Sequence, residues 1–184
     1  MDSERDLTPQ IDPDQLALDA SVDHVRGTAG RLILEYGDYE CPYSRMAYRS
    51  IQRVEQQLSG RLRFAFRHFP LTDIHPHALA AAAAAEAAAN QGVFWAMHDS
   101  LFHHQKALHT EHLQTYAAEL GLDMDAFDRD VRSDAVAARI SRDVASGIVS
   151  GDVRGTPTLF IDGRVYRGPY DTATLLGRLR ESGR

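Results

Sequence analysis

The single cysteine of this 184-residue chain, Cys41, lies in the stretch Glu35-Tyr36-Gly37-Asp38-Tyr39-Glu40-Cys41-Pro42-Tyr43-Ser44, between an apolar run and one with helical periodicity. A thiol at a strand-to-helix junction sits beside unpaired backbone N–H groups and the positive end of the helix dipole, and both favour thiolate over thiol. Cys41 is therefore expected to be a nucleophile, against the alternative of a small buried apolar residue. Ser44 stands where a Cys-x-x-Cys centre carries its resolving thiol. With one cysteine no internal disulfide closes, so sulfur chemistry here must pass through a sulfur of another molecule.

Two further positions could serve that thiol. Glu35 follows Leu32-Ile33-Leu34; a carboxyl in such a run is expected to be buried, with its proton affinity raised enough to exchange protons near neutrality. The alternative is a head group at solvent. Thr156-Pro157, between Gly155 and an apolar strand, suits a central strand poorly unless the bond is cis and the loop turns its backbone groups outward, toward an extended peptide. An ordinary edge-strand proline is the other reading. His75, His77, His98, His103, His104, His109 and His112 raise the question of a metal. His98 and His103 are not an i, i+4 pair, and no acidic residue sits at a recognised ligand spacing, so loop and helix-capping roles are expected and no metal.

The elements that must position these residues follow from periodicity. Residues 1–30 are polar, with Pro9, Pro13 and scattered Asp, and are expected to be an N-terminal extension; the domain, 31–184, starts near Arg31. Leu32–Tyr36 is expected to be a buried strand, and Pro42 opens a helix with Met46, Ile51, Val54 and Leu58 at near-helical spacing. Leu62–Arg67 alternates as a second strand, which makes a βαβ unit with a parallel pair. An insertion of helices spans about 76–148: Ala78–Ala89, Val93–His104, Thr110–Leu120, Met124–Val131 and Ala135–Ser146, punctuated by Gly92, Gly121 and Gly147. It is too long for a connector and too apolar to be solvated. It is expected to pack over one end of the sheet and to wall the groove beside Cys41. A strand at Thr158–Ile161, a turn at Asp162-Gly163, a strand at Arg164–Arg167 and a helix at Thr172–Arg180 close the chain.

This order resembles the thioredoxin-like superfamily and, within it, the DsbA-like disulfide oxidoreductases. The resemblance is carried by Glu35 to Tyr43, by Arg67-His68-Phe69-Pro70-Leu71 with His75-Pro76-His77, by Gly155-Thr156-Pro157-Thr158, and by the terminal hairpin and helix. It implies an α/β fold, a central mixed β-sheet flanked by helices, with an all-helical insertion between the βαβ half and the C-terminal ββα half. It also implies that Cys41 is the nucleophile, that Pro42 and Tyr43 tune it, that Glu35 is the buried acid assisting proton transfer, and that Pro157 is the cis-proline whose loop, with Thr156, binds substrate against the sulfur. Ser44 departs from the family's dithiol pattern.

The charge of −6 and the absence of a basic run argue against a nucleic-acid partner, and no apolar run approaches membrane-spanning length. One cysteine and an acidic, polar N-terminus point to the cytoplasm. The expected function is thiol–disulfide exchange through a single cysteine, acting on a protein or glutathione thiol or disulfide. An external thiol such as glutathione, as co-substrate, is expected to resolve the mixed disulfide, and no cofactor is expected. Two alternatives stay open: a transferase or isomerase resembling the kappa-class glutathione transferases, with a serine activating glutathione, and a non-catalytic binding, sensory or partner domain of the kind fused to a membrane transporter.

Overall fold

The computed structural model describes residues 16–19 and 21–181. Five strands form one mixed sheet: His24–Arg26 (β1), Arg31–Gly37 (β2), Leu62–His68 (β3), Thr158–Ile161 (β4) and Arg164–Tyr166 (β5), in spatial order β1-β3-β2-β4-β5. The pair β2 and β3 is parallel and is bridged by Pro42–Leu58 (α1); the other pairings are antiparallel. Both residues of the β4–β5 turn, Asp162 and Gly163, have positive φ (48° and 78°), as the right-handed twist of a tight hairpin requires. Among the described residues the remaining helices are Ala78–Asn90 (α2), Phe94–His103 (α3), Thr110–Glu119 (α4), Met124–Asp130 (α5), Asp134–Ser150 (α6) and Thr172–Glu181 (α7). The fold is thioredoxin-like, with α2 to α6 inserted between β3 and β4.

Side chains alternate along the strands, so the two faces of β2 meet different cores. Ile33, with Phe64, Phe66, Leu159 and Ile161, packs under Ala47, Ile51 and Val54 of α1 and Leu175 and Leu179 of α7. Leu32, Leu34 and Tyr36 join Ala65, Val153 and Phe160 on the opposite face. The same alternation puts Glu35 on the face that α1 covers.

Two boundaries differ from the sequence reading. The sheet begins before Arg31, because His24–Arg26 pairs with Phe64–Phe66; three residues of mixed polarity show no strand pattern of their own. Of the expected extension, residues 1–15 and 20 lie outside the described residues, and Leu16 is buried against Leu32, Leu34 and their neighbours. Gly147 does not end a helix, since α6 runs on to Ser150. A Cβ there would lie 3.0 Å from the Phe69 ring and 3.1 Å from that of Tyr36, so this glycine lets α6 approach the sheet closely.

The insertion is anchored to the sheet by a buried ionic junction. Glu86, amid the alanines of α2, receives His68 Nε2 of β3 at 2.7 Å and His24 Nε2 of β1 at 2.8 Å on the same Oε1. Burial pushes its proton affinity up, but the two histidine hydrogen bonds outweigh burial and hold the carboxyl well below the usual range. Asp143 of α6 accepts from the His68 backbone N–H at 3.0 Å.

Candidate functional site

Cys41 is the residue capping the N-terminus of α1, with extended backbone (φ −71°, ψ 121°), and Pro42 opens the helix without needing an N–H partner. The thiol is buried, and Sγ donates to the Thr156 carbonyl oxygen at 3.3 Å. The Thr156–Pro157 bond is cis. The structure thus brings Cys41, Thr156 and Pro157 together from segments 115 residues apart. Tyr43, which follows Pro42, is largely exposed beside them. Ser44 is fully buried, one helical turn behind Cys41, and its Oγ accepts from the Asp38 backbone N–H at 3.2 Å.

Glu35 is fully buried, and neither carboxyl oxygen has a hydrogen-bond partner among the described residues. Burial alone pushes its pKa up to about 8, so the group is mostly protonated at neutral pH. Its direction is set by Gly37: a Cβ there would lie 2.9 Å from Glu35 Oε1 and 2.3 Å from the Phe66 ring. The carboxyl therefore leans toward the end of β2 from which the chain enters the Cys41 turn.

That turn is fastened by two carboxylate–histidine pairs. Asp38 Oδ2 receives His75 Nδ1 at 2.7 Å and the Leu71 backbone N–H at 2.9 Å, while its Oδ1 receives the Glu40 N–H at 2.8 Å. Glu40 receives His77 Nδ1 at 2.8 Å and the His77 N–H at 2.6 Å. These histidines hold loops together, with acids 37 residues away that no local spacing reveals. From the insertion, Gln105 donates to the carbonyls of Tyr39 (2.7 Å) and Cys41 (2.9 Å). The buried Tyr39 hydroxyl shares a hydrogen bond of 3.0 Å with His98 Nδ1 on α3. Burial, then the positive charge of Arg26, keeps His98 well below its ordinary range and hence neutral.

The insertion supports the turn in this way, and two grooves near Tyr43 and Pro157 are lined by other segments. One groove, of ≈ 460 Å³, lies between α1 and the segment before α7, with Tyr43, Met46, Arg49, Arg53, Pro169 and Tyr170 along it. A second, of ≈ 290 Å³, runs past Pro157, Thr158 and Tyr166. Tyr170 lines both. Burial raises the pKa of its hydroxyl, and negative charge on Cys41, Tyr43 and Glu35 adds to the rise, which puts Tyr170 within electrostatic reach of the thiol and the buried acid. Neither Tyr170 nor Gln105 was singled out by sequence; a tyrosine after Gly168-Pro169 and a glutamine between helices carry no local signal.

Among the described residues no helix is long and apolar enough to cross a membrane. The thioredoxin family model Thioredoxin_4 matches residues 22–180. Among solved structures, a thioredoxin-like oxidoreductase from Silicibacter pomeroyi DSS-3 is 27% identical with a TM-score of 0.79, covering 92% of this chain and 98% of that one. The thiol-disulfide exchange protein α-DsbA2 from Wolbachia pipientis has the same fold (21% identity, TM-score 0.78, 91% and 90% covered). Among curated proteins, the Na(+)/H(+) antiporter NhaA of Herminiimonas arsenicoxydans is 44% identical over 180 residues, 97% of this chain and 27% of that protein. NhaA 3 of Salinispora tropica is 43% identical over 172 residues, 92% and 25%. The chain spans about a quarter of the length of these curated relatives.

Proposed function

The chain belongs to the thioredoxin family, and from that premise we propose that it is a DsbA-like thiol–disulfide oxidoreductase working through Cys41 alone. The observation that carries this reading is the pairing of one thiol, at the N-terminus of α1 and against the Thr156 carbonyl, with a hydroxyl at Ser44. The Cys41 thiolate attacks one sulfur of a substrate disulfide. Its electron pair forms the new S–S bond, and the departing sulfur leaves with the old bonding pair and takes up a proton. An external thiol such as glutathione then attacks the mixed disulfide and returns Cys41 to the thiolate. Glu35, protonated at neutral pH and without another partner, is the group that gives a proton to the leaving sulfur and takes one from the incoming thiol. The backbone of Thr156 positions the substrate.

This reading requires a reduced thiol in the surroundings, which the cytoplasm supplies. Glutathione conjugation through Ser44 is the weaker alternative, because the Ser44 hydroxyl is buried and engaged with the Asp38 N–H. Reduction of a small disulfide at the expense of glutathione is the test. Turnover by the wild type and none by Cys41→Ala is expected; turnover that survives Cys41→Ala overturns the reading.

A second reading is favoured by the antiporter relatives. In it the domain serves a Na(+)/H(+) antiporter as a sensory or partner module, with Cys41 reversibly capped as a mixed disulfide and no turnover. Capping without turnover, together with a cross-linked complex with such a transporter, would decide for it.

A further inference from the structure

The groove along α1 has a chemical character that the exchange reaction alone does not need. Tyr43, Met46, Ser50 and Arg53 recur at i, i+3 and i+4 spacings on one face of α1, with Arg49 alongside, and Tyr170 opposes them across the groove. Tyr43 and Met46 are exposed. Arg49 and Arg53 are exposed too, and neither forms an ion pair among the described residues. The one carboxylate lining the groove, Asp171, is engaged by the backbone N–H and hydroxyl of Thr174. Two guanidinium groups against one carboxylate leave the groove with an excess of positive charge in a chain of charge −6, a local field that draws anions into it.

We propose that the small thiol and disulfide handled by Cys41 is of the glutathione class, a short peptide thiol with free carboxylates, and that Arg49 and Arg53 select it by binding those carboxylates. The inference rests on the monothiol reading of the site and names its co-substrate. The lengths agree. Arg49 lies eight residues beyond Cys41, about 12 Å of helix rise, and its side chain leans back toward the N-terminus. A tripeptide spans about 10 Å when extended, so with the sulfur of its central residue at Cys41 a terminal carboxylate extends about half that length toward the back-leaning Arg49 side chain, and Arg53 stands one turn further on. Planar guanidinium forks suit carboxylates geometrically. A groove of ≈ 460 Å³ falls within the range of small-molecule sites, about 300–1,000 Å³, which favours a tripeptide over an acidic protein segment. In the reaction Cys41 displaces one glutathione thiolate from glutathione disulfide and keeps the other half as the mixed disulfide; a second glutathione thiolate then regenerates both glutathione disulfide and the Cys41 thiolate.

The test compares the rates at which Cys41 is converted to its mixed disulfide by glutathione disulfide and by the neutral bis(2-hydroxyethyl) disulfide, read by intact mass after acid quenching. The ratio of the two rates is expected to fall about tenfold in the doubly substituted Arg49→Gln, Arg53→Gln protein, the equivalent of about 1.4 kcal/mol. In the wild type, raising the salt concentration is expected to slow the glutathione reaction selectively, because exposed charge pairs are screened. An unchanged ratio, or a salt response shared by both disulfides, would overturn the proposal while leaving exchange at Cys41 intact. Failure of the wild type to form either adduct would remove the exchange reading itself, and this inference with it.

Discussion

Glu35 and Glu86 are both buried glutamates, one on the central strand beside the thiol and the other on the alanine-rich helix of the insertion, and the fold treats them oppositely. Glu86 is held ionised by two histidines and fastens the insertion to the sheet. Glu35 has no hydrogen-bond partner among the described residues, and burial alone keeps its proton on up to about pH 8. A satisfied buried carboxylate is a structural tie; an unsatisfied one is a proton store, at a cost in stability that grows as it ionises. The contrast separates the part of the molecule built for rigidity from the part built for chemistry.

The strongest way to break the comparison is Glu86→Ala, which leaves His24 Nε2 and His68 Nε2 without their acceptor. Removing one side of a buried ionic junction costs about 3–5 kcal/mol, and urea unfolding at neutral pH should show a loss of that order. The pH dependence should also carry the sign of a depressed carboxyl: the contribution of Glu86 is present above the ordinary carboxylate pKa and is lost as pH falls through its folded value. A variant as stable as the wild type would mean that the junction is ornamental.

Glu35 should show the opposite slope. Its folded pKa lies above the unfolded one, so its contribution is intact below about pH 4.5 and is lost as pH rises toward 8. By pH 7 that loss amounts to about 3 kcal/mol. Glu35→Gln should remove this slope, so that the variant gains on the wild type between pH 5 and 8 while its exchange at Cys41 slows. Parallel stability curves for the two proteins would contradict the assignment.

A finer change sharpens the same contrast. Gly37→Ala places a methyl against the Phe66 ring and Glu35 Oε1, and a cost of about 1–3 kcal/mol is expected, with a shifted Glu35 midpoint in a carboxyl NMR titration. An unmoved midpoint would mean that Gly37 does not set the carboxyl's position. The smallest effect is expected from Gln105→Ala, which removes two hydrogen bonds to the Cys41 turn. About 1 kcal/mol of stability should go, with a measurable change in the Cys41 alkylation rate. An unaltered rate would disconnect the insertion from the thiol.

Much of this architecture is legible in the sequence, and what is not has physical reasons. The periods of two and 3.6 in Leu32–Tyr36, Leu62–Arg67 and the helices report burial directly, and Cys41, Glu35 and Pro157 stand out because their residue types conflict with their surroundings. Gly147 misleads because a glycine that permits close packing and one that stops a helix look alike along the chain. β1 is hidden by its three residues, and Glu86 by the alanines around it. The groove between Tyr43 and Tyr170 depends on how α1 meets the segment before α7, which no local pattern encodes.

The central claim, that Cys41 alone carries exchange and depends on an outside thiol for release, is tested most directly by intact-mass analysis of acid-quenched wild-type protein during turnover. The account predicts one mixed-disulfide adduct, mapped to Cys41, that builds up with oxidised glutathione and disappears on adding reduced thiol with full recovery of the free cysteine. A protein whose mass never changes, or an adduct that reduced thiol fails to discharge, would contradict it.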